Sequence, residues 1–193
     1  VLVLFLGILA RIWPSSPTPA PVANSPAPAQ SPPTTPAVEP VPVGVLFSTT
    51  GTMAISESPV ADATLLAIDA LNKAGGVLGR PLKAVPVDGK SDPSEFARQA
   101  DRLFAEDHIR VLFGCWTSAA RKAVRPIVER HNGLLFYPVH FEGLEVAPRI
   151  VYLGPSPNQQ LLPALDFLTG KLGKKRLFIV GSDYIFSRAA AEI

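Results

Sequence analysis

A short segment after a predicted strand carries side chains suited to holding a small polar molecule. In residues 113–118 a glycine precedes Cys115, and Trp116, Thr117 and Ser118 complete the segment. The free amides at the start of a following helix can hold a carbonyl oxygen or an anion. An indole adds a flat apolar face with one hydrogen-bond donor. The segment therefore predicts either a ligand site or a helix cap beside a core tryptophan.

Two further segments repeat this design after later predicted strands, at residues 137–143 and 181–186. Aromatic walls with a few hydroxyls and backbone groups suit a small neutral polar solute. The histidine of the first segment, taken alone, is more often a surface histidine or a buried one with its hydrogen bonds satisfied. The candidate binding residues in these two segments are Tyr137, Val139, His140, Tyr184 and Phe186.

Several other chemistries lack their motifs. Residues 88–91 resemble the end of a phosphate-binding loop, but Ala84 stands where its first glycine is required. No G-x-G-x-x-G follows a predicted strand, and the three histidines lack the spacing of paired metal ligands. A single cysteine excludes an intramolecular disulfide and a cysteine-clustered zinc site. We therefore expect no metal, no cofactor and no catalytic residue.

One enzymatic alternative remains at Cys115. This cysteine could act as the nucleophile of an amide hydrolase, with His140 and Glu142 as the assisting groups. A cysteine at a buried strand end is more commonly a small hydrophobic residue. We expect a binding protein rather than an enzyme.

Short apolar runs alternate with helical patterns from residue 43 onward, which predicts an α/β fold with a parallel sheet and helices on both faces. Ligands of such sheets bind beyond the carboxyl ends of the strands. That rule selects the loops 48–58, 114–118, 137–143 and 181–187. The predicted strands are 43–48, 82–87, 111–113, 134–137, 150–153 and 176–180. The predicted helices run from Ser58-Pro59 to Gly75-Gly76, from Asp92 onward, over 118–131 with Pro126 inside, and over 158–172.

Composition sets the amino-terminal part apart from the rest of the 193 residues. Of the 21 prolines, 11 fall within residues 14–42, where Glu39 is the only charged residue. This composition favours extended polyproline II and predicts a semi-rigid linker. A ligand for a proline-recognising domain is the alternative. The whole chain has 47% hydrophobic residues and a net charge of +2, which predicts a folded core in the remainder and no nucleic-acid partner.

Residues 1–13 are apolar up to Arg11. They predict either the hydrophobic region of a signal peptide or the second half of a transmembrane helix, with Arg11 and Trp13 at the interface. A buried core strand is a third possibility. The chain does not begin with methionine, so we expect this membrane-targeting segment to be truncated. Both membrane interpretations place the following residues in the periplasm or another extracytoplasmic compartment.

Six motifs match a known family. They are residues 51–54 (GTMA), 72–79 (NKAGGVLG), 113–118 (FGCWTS), 134–138 (LLFYP), 157–160 (PNQQ) and 181–184 (GSDY). In these motifs the chain resembles the urea and short-chain-amide binding proteins, a branch of the type I periplasmic binding proteins that includes receptors of urea ABC transporters. The resemblance implies two lobes that close on a ligand at a hinge. Residues 43–157 would form lobe one, and residues 158–193 only the start of lobe two.

The same resemblance implies roles for individual residues. Ser118 is expected to hydrogen-bond the ligand through its hydroxyl and its helix amide, with Trp116 beside it. Tyr137 is expected to wall the pocket, and Tyr184 to contribute from lobe two. The chain departs from the pattern at three positions: the urea branch usually has Gln and Tyr where this chain has His140 and Phe141, and the family usually has Tyr at Phe186.

The function implied is that of an extracytoplasmic receptor for urea or a short-chain amide, acting by hinge closure without chemistry. Its partner would be the permease of an ABC transporter. The alternative is the ligand-sensing extracellular domain of a membrane-anchored signalling protein, such as a serine/threonine protein kinase, because the predicted linker is longer than such receptors usually carry.

Overall fold

The computed structural model describes residues 38–193. The predictions for residues 1–13, and for all but the end of the predicted linker 14–42, concern residues that lie outside this part. Between residues 38 and 193, no helix is long and apolar enough to cross a membrane.

A parallel sheet forms the centre of the described part, as the alternating pattern predicts. Its five strands follow the order β2-β1-β3-β4-β5, and every neighbouring pair is parallel. Parallel neighbours need a crossover between them, and helices supply it in the first three connections. The strands are β1 (Val41–Phe47), β2 (Leu82–Asp88), β3 (Val111–Gly114), β4 (Leu134–Tyr137) and β5 (Ile150–Tyr152).

Helices cover both faces of this sheet, which confirms the prediction. Phe96 and Val124 form one buried cluster with Leu46, whereas Ile68 packs with Phe47 on the opposite face. Adjacent strand residues such as Leu46 and Phe47 point to opposite faces, so one strand serves both clusters. The helices are α1 (Ala54–Lys73), α2 (Pro93–Ala105), α3 (Ser118–Arg130), α4 (Leu161–Asp166) and α5 (Ile185–Glu192).

The predicted start of α1 at Ser58 is wrong. The helix begins at Ala54, and Pro59 lies inside it rather than at its first position. Proline costs a helix one backbone hydrogen bond and does not forbid it near the first turns. The Met53 amide donates to Ser91 Oγ at 2.9 Å, a tertiary contact that fixes the earlier start.

The predictions after the sheet fail in two places. The helix expected over 158–172 is divided into a 3₁₀ turn (Pro157–Gln159), α4 and a π-helical turn (Phe167–Lys171). The strand expected over 176–180 is absent from the described residues, where this segment has no regular structure and Phe178 is 93% exposed. A strand needs a neighbour for its backbone groups, and residues 38–193 offer this segment none.

The end of β3 is shaped by a close backbone approach. The Cys115 amide donates to the Leu46 carbonyl oxygen at 3.0 Å, and Cys115 has a φ of 63°. A Cβ on Gly114 would lie 2.4 Å from the same oxygen. Glycine at position 114 therefore allows β3 to turn into the segment that carries Trp116 and Ser118.

We expect Gly114→Ala to destabilise the protein by about 1–3 kcal/mol, because the added methyl forces β1 and β3 apart. The measurement is the free energy of unfolding in guanidinium chloride. Gly170→Ala is the matched control, since a Cβ there meets nothing within 4 Å. Equal unfolding midpoints for the two variants would contradict this account of Gly114.

Candidate functional site

A cavity of about 230 Å³ opens at the carboxyl ends of β3 and β4. This is the position that the strand-end rule selects in a parallel sheet. The structure brings seven of the eight predicted binding residues together around the cavity: Trp116, Thr117, Ser118, Tyr137, His140, Tyr184 and Phe186.

The lining of the cavity differs from the predicted set of binding residues at two positions. Val139 does not line this cavity and instead packs against the core cluster that contains Leu135. Met53 lines the cavity, although it was not among the predicted binding residues. Met53 lies in the loop 48–58 that the strand-end rule selected, so its position was the available signal.

The start of α3 leaves one backbone donor at the cavity. Thr117 caps the helix, with its Oγ1 accepting from the Ala120 amide at 3.1 Å. The Ala119 amide donates to the Tyr184 hydroxyl oxygen at 3.1 Å. Among the described residues, no hydrogen bond engages the Ser118 amide. Thr117 is therefore the cap, and the Ser118 amide remains available to a ligand acceptor.

Tyr137 and Tyr184 differ in whether the hydroxyl proton already has an acceptor. The Tyr137 hydroxyl donates to the Trp116 carbonyl oxygen at 2.7 Å, so it holds the segment that carries the indole. The Tyr184 hydroxyl accepts from Ala119, and no described residue accepts its proton. Tyr184 can therefore donate to a ligand, whereas Tyr137 serves as a wall.

The aromatic wall is completed from two elements. His140 and Phe186 contact each other edge to face, with ring centroids 5.0 Å apart. Phe141, the neighbouring departure from the urea-branch pattern, stacks on Tyr152 with centroids 4.2 Å apart and does not line the cavity. Of the three departures, only His140 and Phe186 change the cavity lining.

A buried ionic cluster lies directly behind Ser118. The Arg121 Nη2 donates to Glu142 Oε1 at 2.7 Å, and Arg121 Nε donates to Glu145 Oε1 at 3.1 Å. The Ser118 hydroxyl donates to Glu142 Oε2 at 2.8 Å. The Arg121 guanidinium also lies over the Tyr137 ring, 4.9 Å from its centroid. Arg121 was not predicted from the sequence, although its place three residues after Ser118 on one helix face was a usable signal.

Burial alone would raise the pKa of both carboxyls in this cluster. Hydrogen bonds from Arg121 outweigh burial, so the pKa of Glu142 lies below its usual 4.5 and that of Glu145 falls to about 2. Both side chains are therefore ionised at neutral pH and act only as hydrogen-bond acceptors.

Glu57 borders a second cavity of about 220 Å³ and was not predicted from the sequence. This cavity shares Met53, Thr117 and Tyr184 with the first. Glu57 Oε2 accepts from the Ser48 amide at 2.6 Å, which anchors the loop after β1. Its Oε1 is buried and has no hydrogen-bond partner among the described residues. Burial raises the pKa of this carboxyl above its usual value.

Cys115 is fully buried, and burial raises the pKa of its thiol. A nucleophilic cysteine needs a lowered pKa and access to substrate. Glu142, its supposed helper, is held by Arg121 and Ser118. These contacts weigh against the hydrolase alternative.

We expect acid to destabilise the protein partly through Glu145. As the pH falls from 4.5 toward 2, the unfolded chain protonates this carboxyl while the folded chain does not, so the free energy of unfolding falls. Glu145→Gln removes this contribution. Its free energy of unfolding in guanidinium chloride should fall less steeply than that of the wild type below pH 5. Parallel pH curves for the two proteins would contradict the assignment.

Several solved structures share the fold, among them the following three. The branched-chain amino acid transporter substrate-binding protein LivJ of Streptococcus pneumoniae, solved with isoleucine, has a TM-score of 0.69 and 21% identity, over 80% of this chain and 45% of that chain. The leucine-binding protein LivK of Thermotoga maritima has a TM-score of 0.66 and 20% identity, over 79% and 43%. An ABC transporter solute-binding protein of R. palustris, solved with 4-hydroxybenzoate, has a TM-score of 0.64 and 21% identity, over 80% and 42%.

The chain thus spans less than half the length of each of these proteins. A family model described as a periplasmic binding protein domain matches residues 41–193. The sheet order and the strand-end cavity are consistent with this family match. The chain belongs to the periplasmic binding protein domain family, with the fold of the type I members.

Proposed function

We propose that the chain is the ligand-binding part of an extracytoplasmic receptor for urea or a short-chain amide that serves an ABC transporter. Two of the solved structures described above are named as transporter binding proteins, and each of these two holds a bound ligand of another kind. The observation that carries the choice of ligand is the pairing of a donor and an acceptor at Ser118, inside an aromatic cavity.

The lining of this cavity suits an uncharged guest. Among the described residues, the side chains that line it include no Asp, Glu, Lys or Arg. An ionised ligand would lose its hydration there without a countercharge, which is costly.

A primary amide matches the polar groups at the cavity. The Ser118 amide and the Tyr184 hydroxyl can both donate to its carbonyl oxygen, and the Ser118 hydroxyl oxygen can accept from its NH₂ group. The rings of Trp116, His140 and Phe186 would enclose its flat faces.

Closure would then couple binding to transport. Tyr184 lies just before α5, in the part predicted to begin lobe two, and it bonds to the start of α3. A ligand seated between these elements adds contacts to both, so it favours the closed arrangement over the open one. The permease would recognise the closed form.

The signalling alternative is favoured by one sequence observation, the proline-rich stretch of residues 14–42 behind an apolar amino terminus. A semi-rigid spacer suits a receptor tethered to a membrane partner of its own chain. The coding sequence upstream of Val1 distinguishes the two functions. A signal peptide supports the transporter receptor, whereas a cytoplasmic domain supports the sensor.

We expect Tyr184→Phe to weaken acetamide binding about tenfold, because one hydrogen bond to the ligand is lost. The measurement is titration calorimetry on the full-length protein. Tyr152→Phe is the matched control, since the Tyr152 hydroxyl bonds to Glu145 and does not line the cavity. Unchanged affinity in Tyr184→Phe would remove this hydroxyl from the site.

Trp116 fluorescence should change when urea or acetamide is added. The chain has two tryptophans, so a Trp13→Phe background leaves Trp116 as the reporter. Both ligands should give saturable titrations. Absence of any response to either, together with absence of calorimetric heat, would overturn the proposed ligand class.

A further inference from the structure

We propose that Glu142 is a positioning residue that sets ligand specificity, because it fixes the Ser118 hydroxyl as a hydrogen-bond acceptor toward the cavity. The inference deepens the proposed function and, for its consequence in binding, rests on it. It concerns the direction of a single hydrogen bond, which decides whether the cavity offers a proton or a lone pair at this point.

The direction follows from counting the groups around Ser118 Oγ. A serine hydroxyl has one proton and two lone pairs. Its proton is donated to Glu142 Oε2 at 2.8 Å. Arg121 Nη1 donates to one lone pair at 3.3 Å. One lone pair is left, so Ser118 can only accept from a ligand.

The opposite direction, in which Ser118 accepts a hydrogen bond from Glu142 or donates one to Arg121, is chemically impossible. Glu142 is ionised, since its pKa is lowered, and a carboxylate has no proton to give to Ser118. Arg121 is a donor only. Both residues are almost fully buried, Arg121 at 0% and Glu142 at 1% exposure, so water does not compete for these bonds. The hydroxyl therefore cannot rotate to donate into the cavity without leaving a buried carboxylate unpaired.

The consequence is discrimination between two ligands of nearly equal shape. The NH₂ group of acetamide can donate to the free lone pair of Ser118. Acetate presents only lone pairs, which repel that of Ser118. A site built around a ligand donor rejects the analogue that lacks it, because its own buried polar groups stay unpaired.

The test is Glu142→Gln. Arg121 donates to Oε1 of the native side chain, so the carbonyl oxygen of glutamine should occupy that place and its NH₂ should face Ser118. The NH₂ then donates to Ser118 Oγ, and the serine proton turns into the cavity. We expect the ratio of acetamide affinity to acetate affinity, measured by calorimetry, to fall at least tenfold. Equal weakening of both ligands would overturn the inference, since a merely structural role loses both alike.

Glu145→Gln is the matched control. Glu145 binds the same Arg121 side chain and its own side chain is as well buried, but no hydrogen bond joins it to Ser118. It should leave the ratio of the two affinities unchanged, even where it lowers thermal stability. A fall in the ratio equal to that of Glu142→Gln would assign the effect to the whole cluster and contradict a specific role for Glu142.

A readout without ligand separates this inference from the proposed function. Neutron diffraction of the deuterated full-length protein locates the Ser118 hydroxyl deuteron. We expect it between Ser118 Oγ and Glu142 in the wild type and away from position 142 in Glu142→Gln. A wild-type deuteron that points into the cavity would overturn the inference. If the wild type binds neither urea nor acetamide, the proposed function fails while the deuteron position still decides the role of Glu142.

Discussion

The buried ion pair between Arg121 and Glu142 is the contact on which the site depends. It joins α3, which follows β3, to the loop that follows β4, so it holds together the two strand ends that frame the cavity. Arg121 also bonds to Glu145 and lies over the ring of Tyr137. Of the residues that line the cavity, Ser118 and Tyr137 therefore contact this guanidinium directly, and Trp116 is attached to it through Tyr137.

Such a pair is a weak source of stability, because removing two charges from water costs about as much as their attraction returns. The ion pair matters here because it fixes the direction of the hydrogen bonds around it. Arginine donates only and carboxylates accept only, so the bonds of Arg121 with Glu142 and Glu145 have one possible polarity. A neutral network of serines and amides could rotate its protons to suit several ligands. An ionic one imposes a fixed pattern on Ser118.

Much of the fold and part of the site followed from local patterns. Apolar runs with β-branched residues predicted the strands, and the rule for parallel sheets selected loops whose residues meet at one cavity. The errors occur where a tertiary contact, or the lack of one, overrides the local signal. Ser91 Oγ accepts a hydrogen bond from the Met53 amide, and α1 therefore begins ahead of Pro59. Residues 176–180 have a strand-like composition, but they lack a neighbouring strand among the described residues.

The sequence by itself determined which side chains stand at the strand ends, since chain order and apolar periodicity place them there. It did not determine which of them face the cavity or how their protons point. Val139 turned into the core, Met53 entered the lining, and the hydroxyl of Ser118 was committed to Glu142, 24 residues away. Only the tertiary structure decided these matters, because hydrogen-bond polarity depends on all the groups that surround an atom, and those groups come from distant parts of the chain.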